Sequence, residues 1–192
     1  IFGVWAQMKL ALNSCRHSSL GANHAMEREV PYLKGQDRLA TAEQIKAAAA
    51  GINLVLSTTA ALLIALIVFL MRNQLSPGML TAWFILVVIF PLRQMLWYAR
   101  ARLRAEKRFD RLSLIMLSLA VLTTVCGVAS GYFFGLTGFL VALGGSHLLV
   151  LGVVLRTACP LRLQSFRLGP SLRLIRTGFP IMASRFLLYL LY

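Results

Sequence analysis

The run LSLIMLSLAVLTTVCGVASGYFFGLTGFLVALGGSHLLVLGVVL, residues 112–155, contains no Lys, Arg, Asp or Glu. At about 1.5 Å of rise per residue it is roughly twice as long as a helix needs to cross a ~30 Å hydrocarbon core. It therefore reads as two crossings rather than one, and Gly131, Gly135 and Gly138 mark the reversal between them. Working outward, residues 47–71 form another window without a charge, and 79–98 form a third apolar window interrupted only by Arg93. The chain of 192 residues is 58% hydrophobic and 14% charged, against roughly half apolar and a quarter charged in a soluble domain. Mean hydropathy is +0.74. The expected fold class is all-α, a polytopic membrane helical bundle.

The segment 2–20 is a marginal first span, because it carries Lys9, Asn13, Arg16 and His17. Residues 21–46 turn polar and hold Glu27, Glu29, Asp37 and Glu43 beside Arg28, Lys34, Arg38 and Lys46, which predicts a solvated loop with helical turns. Thr41 and Gln44 have the spacing of a capping box ahead of the span that begins at Ala47. Residues 72–78 form a short turn. The following span contains Pro91 and closes on Trp97 and Tyr98, aromatics favoured at a membrane interface. A final span begins near Thr177 and is still rising in hydropathy at Tyr192, so the chain reads as a piece of a longer protein with about six spans, the last truncated.

The linkers 21–46, 99–111 and 156–176 hold 15 of the 20 Lys and Arg residues. The intervening turns near 72–78 and 132–137 hold one. By the positive-inside rule the three basic linkers face the cytoplasm and Ile1 lies on the other side. The same rule accounts for the formal net charge of +14 without a nucleic-acid partner, and no recognition-helix or zinc-finger pattern accompanies it. Cys15, Cys126 and Cys159 are odd in number and widely spaced, which supports neither a disulfide framework nor a zinc site. No nucleotide, metallohydrolase or serine-hydrolase motif occurs, and no acid falls inside any span. The expectation is a protein that is not an enzyme and takes no cofactor.

Gly127, Gly131 and Gly135 recur every four residues, a small-residue stripe that suits close packing of adjacent helices. His147 reads as a hydrogen-bonded structural histidine, with a proton relay as the alternative. Arg93, about two turns from Arg100, is placed to snorkel toward the cytoplasmic interface. Lys9, Asn13 and Arg16 recur at spacings of four and three, so a helix puts them on one face. A cation that deep costs a few kcal/mol unless water or a partner adjoins it. We therefore expect Lys9, Asn13, Arg16 and, on the last span, Arg185 to line a substrate cavity. The alternative is that they pair with acids elsewhere in the protein for folding alone.

Four stretches carry a family resemblance: Phe2-Gly3-Val4-Trp5; Leu20-Gly21-Ala22-Asn23-His24-Ala25 with Arg28; Arg104-Ala105-Glu106-Lys107-Arg108-Phe109; and Thr177-Gly178-Phe179-Pro180-Ile181. In order and spacing they resemble the Wzx-type polysaccharide-lipid flippases, also called O-antigen translocases, of the multidrug/oligosaccharidyl-lipid/polysaccharide exporter superfamily. The resemblance implies that 1–176 are helices two to six of the first lobe of a two-lobe transporter, and that 177–192 open the second. It implies a bacterial inner-membrane protein that flips undecaprenyl-diphosphate-linked oligosaccharide for polysaccharide or lipopolysaccharide biosynthesis. Its partners would be that lipid-linked oligosaccharide, membrane lipids and other polysaccharide-assembly membrane proteins. Two rival expectations stand beside it: a multidrug exporter of the same superfamily, for which cationic cargo would favour acids in the cavity, and a membrane glycan polymerase or acyltransferase, for which the outer turns are short.

Overall fold

A computed structural model describes residues 2–14, 18–157 and 168–191, with side chains described for 6–13, 18–157, 169 and 171–184. The elements are α1 (Phe2–Ser14), α2 (Ala22–Gly35), α3 (Leu39–Leu70), α4 (Pro77–Ala105), α5 (Phe109–Thr157) and α6 (Leu168–Leu191), with a 3-10 turn at Arg72–Gln74. Three of them, α3, α4 and α5, are long and apolar enough to cross a membrane. Much of their surface is open leucine, isoleucine and valine, such as Leu62, Leu63, Leu66 and Ile67 on α3. Lipid covers such a surface; water would not.

The expected reversal within α5 is present. Gly135 has φ 64° and ψ −148°, a region that essentially only glycine occupies. The two arms, 109–134 and 136–157, fold back on each other. Gly127 and Gly131 receive the Phe139 side chain, and a Cβ on Gly138 would overlap the Ser130 carbonyl. At the open end Arg111 Nη1 donates to the Thr157 carbonyl at 3.0 Å. The glycine stripe therefore serves packing within the chain.

Two chain reversals at the basic end are built alike. Arg38 N–H donates to Leu33 O and Asp37 N–H to Lys34 O; seventy residues on, Arg108 N–H donates to Leu103 O and Lys107 N–H to Arg104 O. Asp37 and Lys107 both stand in the left-handed region, at φ 56° and 59°. Each is a Schellman-type stop that satisfies the last helical carbonyls and turns the chain straight into the next helix.

Several expectations need correction here. Residues 21–46 are not a solvated loop: they form α2 and the first turns of α3. The signal was available, since Ala22, Ala25, Met26, Val30 and Leu33 are buried on one face of α2 at helical spacing; the density of charge on the other face obscured it. Thr41 caps nothing. It lies inside α3, whose N-cap is Arg38 without a side-chain bond. The linker 99–111 is mostly helix too, because α4 runs to Ala105. Finally, α6 begins at Leu168 rather than near Thr177.

The marginal first span also has a different form. α1 is 13 residues long, about 20 Å, too short to cross alone. Its Met8 and Leu12 pack against Ala82, Leu86 and Ile89 in the first half of α4 and Leu140 near the hairpin tip. α2 then packs along the second half of α4, where Glu27 pairs with Arg104 at 2.8 Å. Together α1 and α2 run end to end alongside α4. α6 meets the start of α2 at close quarters: a Cβ on Gly21 would overlap the Gly178 carbonyl, and a Cβ on Gly178 would overlap that of Gly21. Two of the stretches that carry the family resemblance thus meet glycine to glycine.

Candidate functional site

Near the start of α2, three amides from three helices meet. Asn53 Nδ2 donates to Asn23 Oδ1 at 2.7 Å and to Ala49 O at 2.7 Å. Its Oδ1 accepts from Gln94 Nε2 at 2.6 Å and from Asn23 Nδ2 at 3.2 Å. Asn53 and Gln94 are fully buried. In an apolar setting an amide without partners costs several kcal/mol, so these three fix the register of α2, α3 and α4 relative to one another.

On the neighbouring face of α4, Arg93, Trp97 and Arg100 look into a cleft of about 280 Å3 whose far wall is α5, through Met116, Leu119, Thr123, Leu143 and His147. No carboxylate lines it among the described residues. Arg93 donates through Nη2 to Asn13 Oδ1 of α1 at 3.3 Å. Arg100 stacks over the Trp97 ring, 5.2 Å from its centroid, and its Nε is buried with no hydrogen-bond partner among the described residues. His147 Nδ1 lies 2.8 Å from the Leu143 carbonyl. Because a carbonyl can only accept, that nitrogen carries a proton. As expected from the sequence, His147 has a structural hydrogen bond; its place in the cleft wall was not legible.

Two guanidiniums two turns apart on one helix face repel each other, and burial removes the water that would screen them. Such a pair suits an oxyanion with several oxygens, phosphate above all, which planar guanidinium forks bind bidentately.

The basic end holds a second charged cluster of a different kind. Lys46 is almost fully buried, and its Nζ reaches Glu106 Oε1 at 2.8 Å and also Glu43. Arg102 Nε adds a contact to the same Glu106 oxygen at 3.3 Å, and Tyr98 Oη donates to the Lys46 carbonyl. Burial alone would push the Glu106 carboxyl up; the hydrogen bond and charge of Lys46, with the charge of Arg102, outweigh it and hold the carboxyl below its ordinary value. Here every cation has a carboxylate, which marks a structural ion cluster.

Of the residues expected to line a cavity, Asn13 is brought to the cleft through Arg93. Lys9, one turn earlier on α1, is exposed on the same side and turned away from the face through which Met8 and Leu12 pack. Arg16 and the side chain of Arg185 lie outside the described residues. The sequence singles out Arg93 as a snorkelling cation and Arg100 as part of the basic linker 99–111; that the two share one cleft was not legible. No family model, no curated protein and no solved structure matches this chain.

Proposed function

We propose that this chain belongs to a bacterial inner-membrane transporter that flips an anionic lipid-linked oligosaccharide, in line with its resemblance to the polysaccharide-lipid flippases. The observation that carries this reading is the cleft between α4 and α5, whose lining includes Arg93 and Arg100 and no carboxylate among the described residues. The diphosphate would take the two guanidiniums, and Asn13, Lys9, Arg16 and Arg185 would face the sugar or phosphate. The polyprenyl tail would stay in lipid while the two lobes rock. Cationic drug cargo suits the cleft poorly, since both of its charged groups are positive. In this reading the basic ends face the cytoplasm and the Gly135 tip faces outward.

The test is export of surface polysaccharide by a flippase-deficient strain carrying the full-length protein. Arg93→Ala, Arg100→Ala and Lys9→Ala are each expected to lower export at least about tenfold at unchanged membrane abundance, the loss of a charge-assisted contact of ~1.5–3 kcal/mol. Normal export from the Arg93 and Arg100 variants, or export that falls only in step with protein level, would overturn the assignment.

A further inference from the structure

The arms of α5 touch at the hairpin tip and part toward the basic end. There they leave an apolar groove of about 580 Å3, walled by Leu114, Ile115, Leu122, Leu149, Val150 and Val153, with Arg111 and Thr157 at its mouth. We infer that this groove holds one acyl chain of an anionic phospholipid, with the lipid phosphate on Arg111. The reading is independent of the transported substrate, since the groove is lined by α5 alone and shares no lining residue with the cleft of Arg93 and Arg100.

Three properties of the groove select that occupant. The first is depth: from Arg111 to Leu122 the helix rises about 16 Å, half of a ~30 Å core, so the groove spans one leaflet and ends at its floor. The second is width. A volume of 580 Å3 along that length is a slot of roughly 36 Å2 in section, walled by α5 alone. A single hydrocarbon chain fits such a slot. The third is charge. Arg111 uses one donor on the Thr157 carbonyl out of the five a guanidinium has, and Arg156 is exposed one residue before Thr157. The nearby acids do not cancel this: Glu106 is committed to Lys46 and Arg102, which leaves Asp110 against Arg111 and Arg156. A phosphate at the mouth would lie at headgroup level while its chain follows the apolar walls inward.

The experiment uses the full-length protein in nanodiscs of equal parts phosphatidylglycerol and phosphatidylcholine, released gently into detergent, with retained lipid counted by native mass spectrometry. Phosphatidylglycerol should be retained about fivefold over phosphatidylcholine, the factor for one guanidinium at an anionic surface. Arg111→Ala should abolish that preference, while Arg111→Lys should keep it. Val153 is exposed, so Val153→Trp fills the groove without disturbing the helix packing and should reduce retention of phosphatidylglycerol with Arg111 intact. Equal retention of the two lipids by the unaltered protein, a preference that survives Arg111→Ala, undiminished retention in Val153→Trp, or a second copy of the protein held in place of lipid would each overturn the inference.

Discussion

Lys46 and Glu106 are sixty positions apart, and in the sequence each looks like an ordinary member of a charged linker. In the structure they are one buried pair that ties the start of α3 to the turn after α4. Only the fold makes them partners, because a linear reading treats charge density as exposure. Removing the carboxylate leaves the buried ammonium with the half-exposed Glu43 alone, so Glu106→Ala is expected to destabilise the protein by about 1–3 kcal/mol, read as a lowered thermal midpoint in detergent. The pH dependence follows from the depressed carboxyl. Its contribution is fully present above the ordinary carboxylate range and is lost as pH falls through the lower folded value. Part of the acid-induced fall in midpoint should therefore be missing in Glu106→Ala. An unchanged midpoint and acid profile would show that the cluster contributes nothing. The amides Asn23, Asn53 and Gln94 were equally hidden, since a count of charges along a span passes over them.

At the scale of elements, what the sequence made legible was whatever hydropathy and length encode. α3, the core of α4 and the two arms of α5 follow from charge-free windows, and the turn at Gly135 follows from glycine placement. What escaped was the placement of α1 and α2. α1 is short and carries Lys9, α2 holds Glu27, Arg28, Glu29 and Lys34 among its 14 residues, and hydropathy does not show that they lie end to end along α4. The glycine contact of α6 with the start of α2 gives a direct test. Gly178→Ala adds one methyl where the Gly21 carbonyl already stands, backbone against backbone, and cannot be relieved by a rotamer change. It should lower the thermal midpoint by several degrees, in the 1–3 kcal/mol range of overpacking. Gly145→Ala, with nothing within 4 Å of the added carbon, should leave it unchanged or slightly raised. Equal behaviour of the two variants would mean that α6 does not cross at Gly21.

Across the whole molecule, the ends differ in charge and the middle differs in chemistry. One end gathers the ion cluster and the two matched turns; the other carries the Arg72–Gln74 turn and the exposed aromatics Tyr132, Phe133 and Phe134, suited to an interface. In intact cells a cysteine in place of Lys107 should resist an impermeant thiol reagent, and one in place of Ser76 should react; the reverse pattern would invert the proposed orientation. The cleft between these ends is the centre of the account. Its most direct test is transfer of undecaprenyl-diphosphate-linked oligosaccharide between leaflets of proteoliposomes holding the full-length protein, followed by accessibility of the glycan to an impermeant hydrolase. The account predicts transfer well above that of protein-free vesicles, with loss of most of the increment when Arg93 and Arg100 are both replaced by alanine. Transfer no faster than in protein-free vesicles, or transfer undiminished in the double variant, would contradict it.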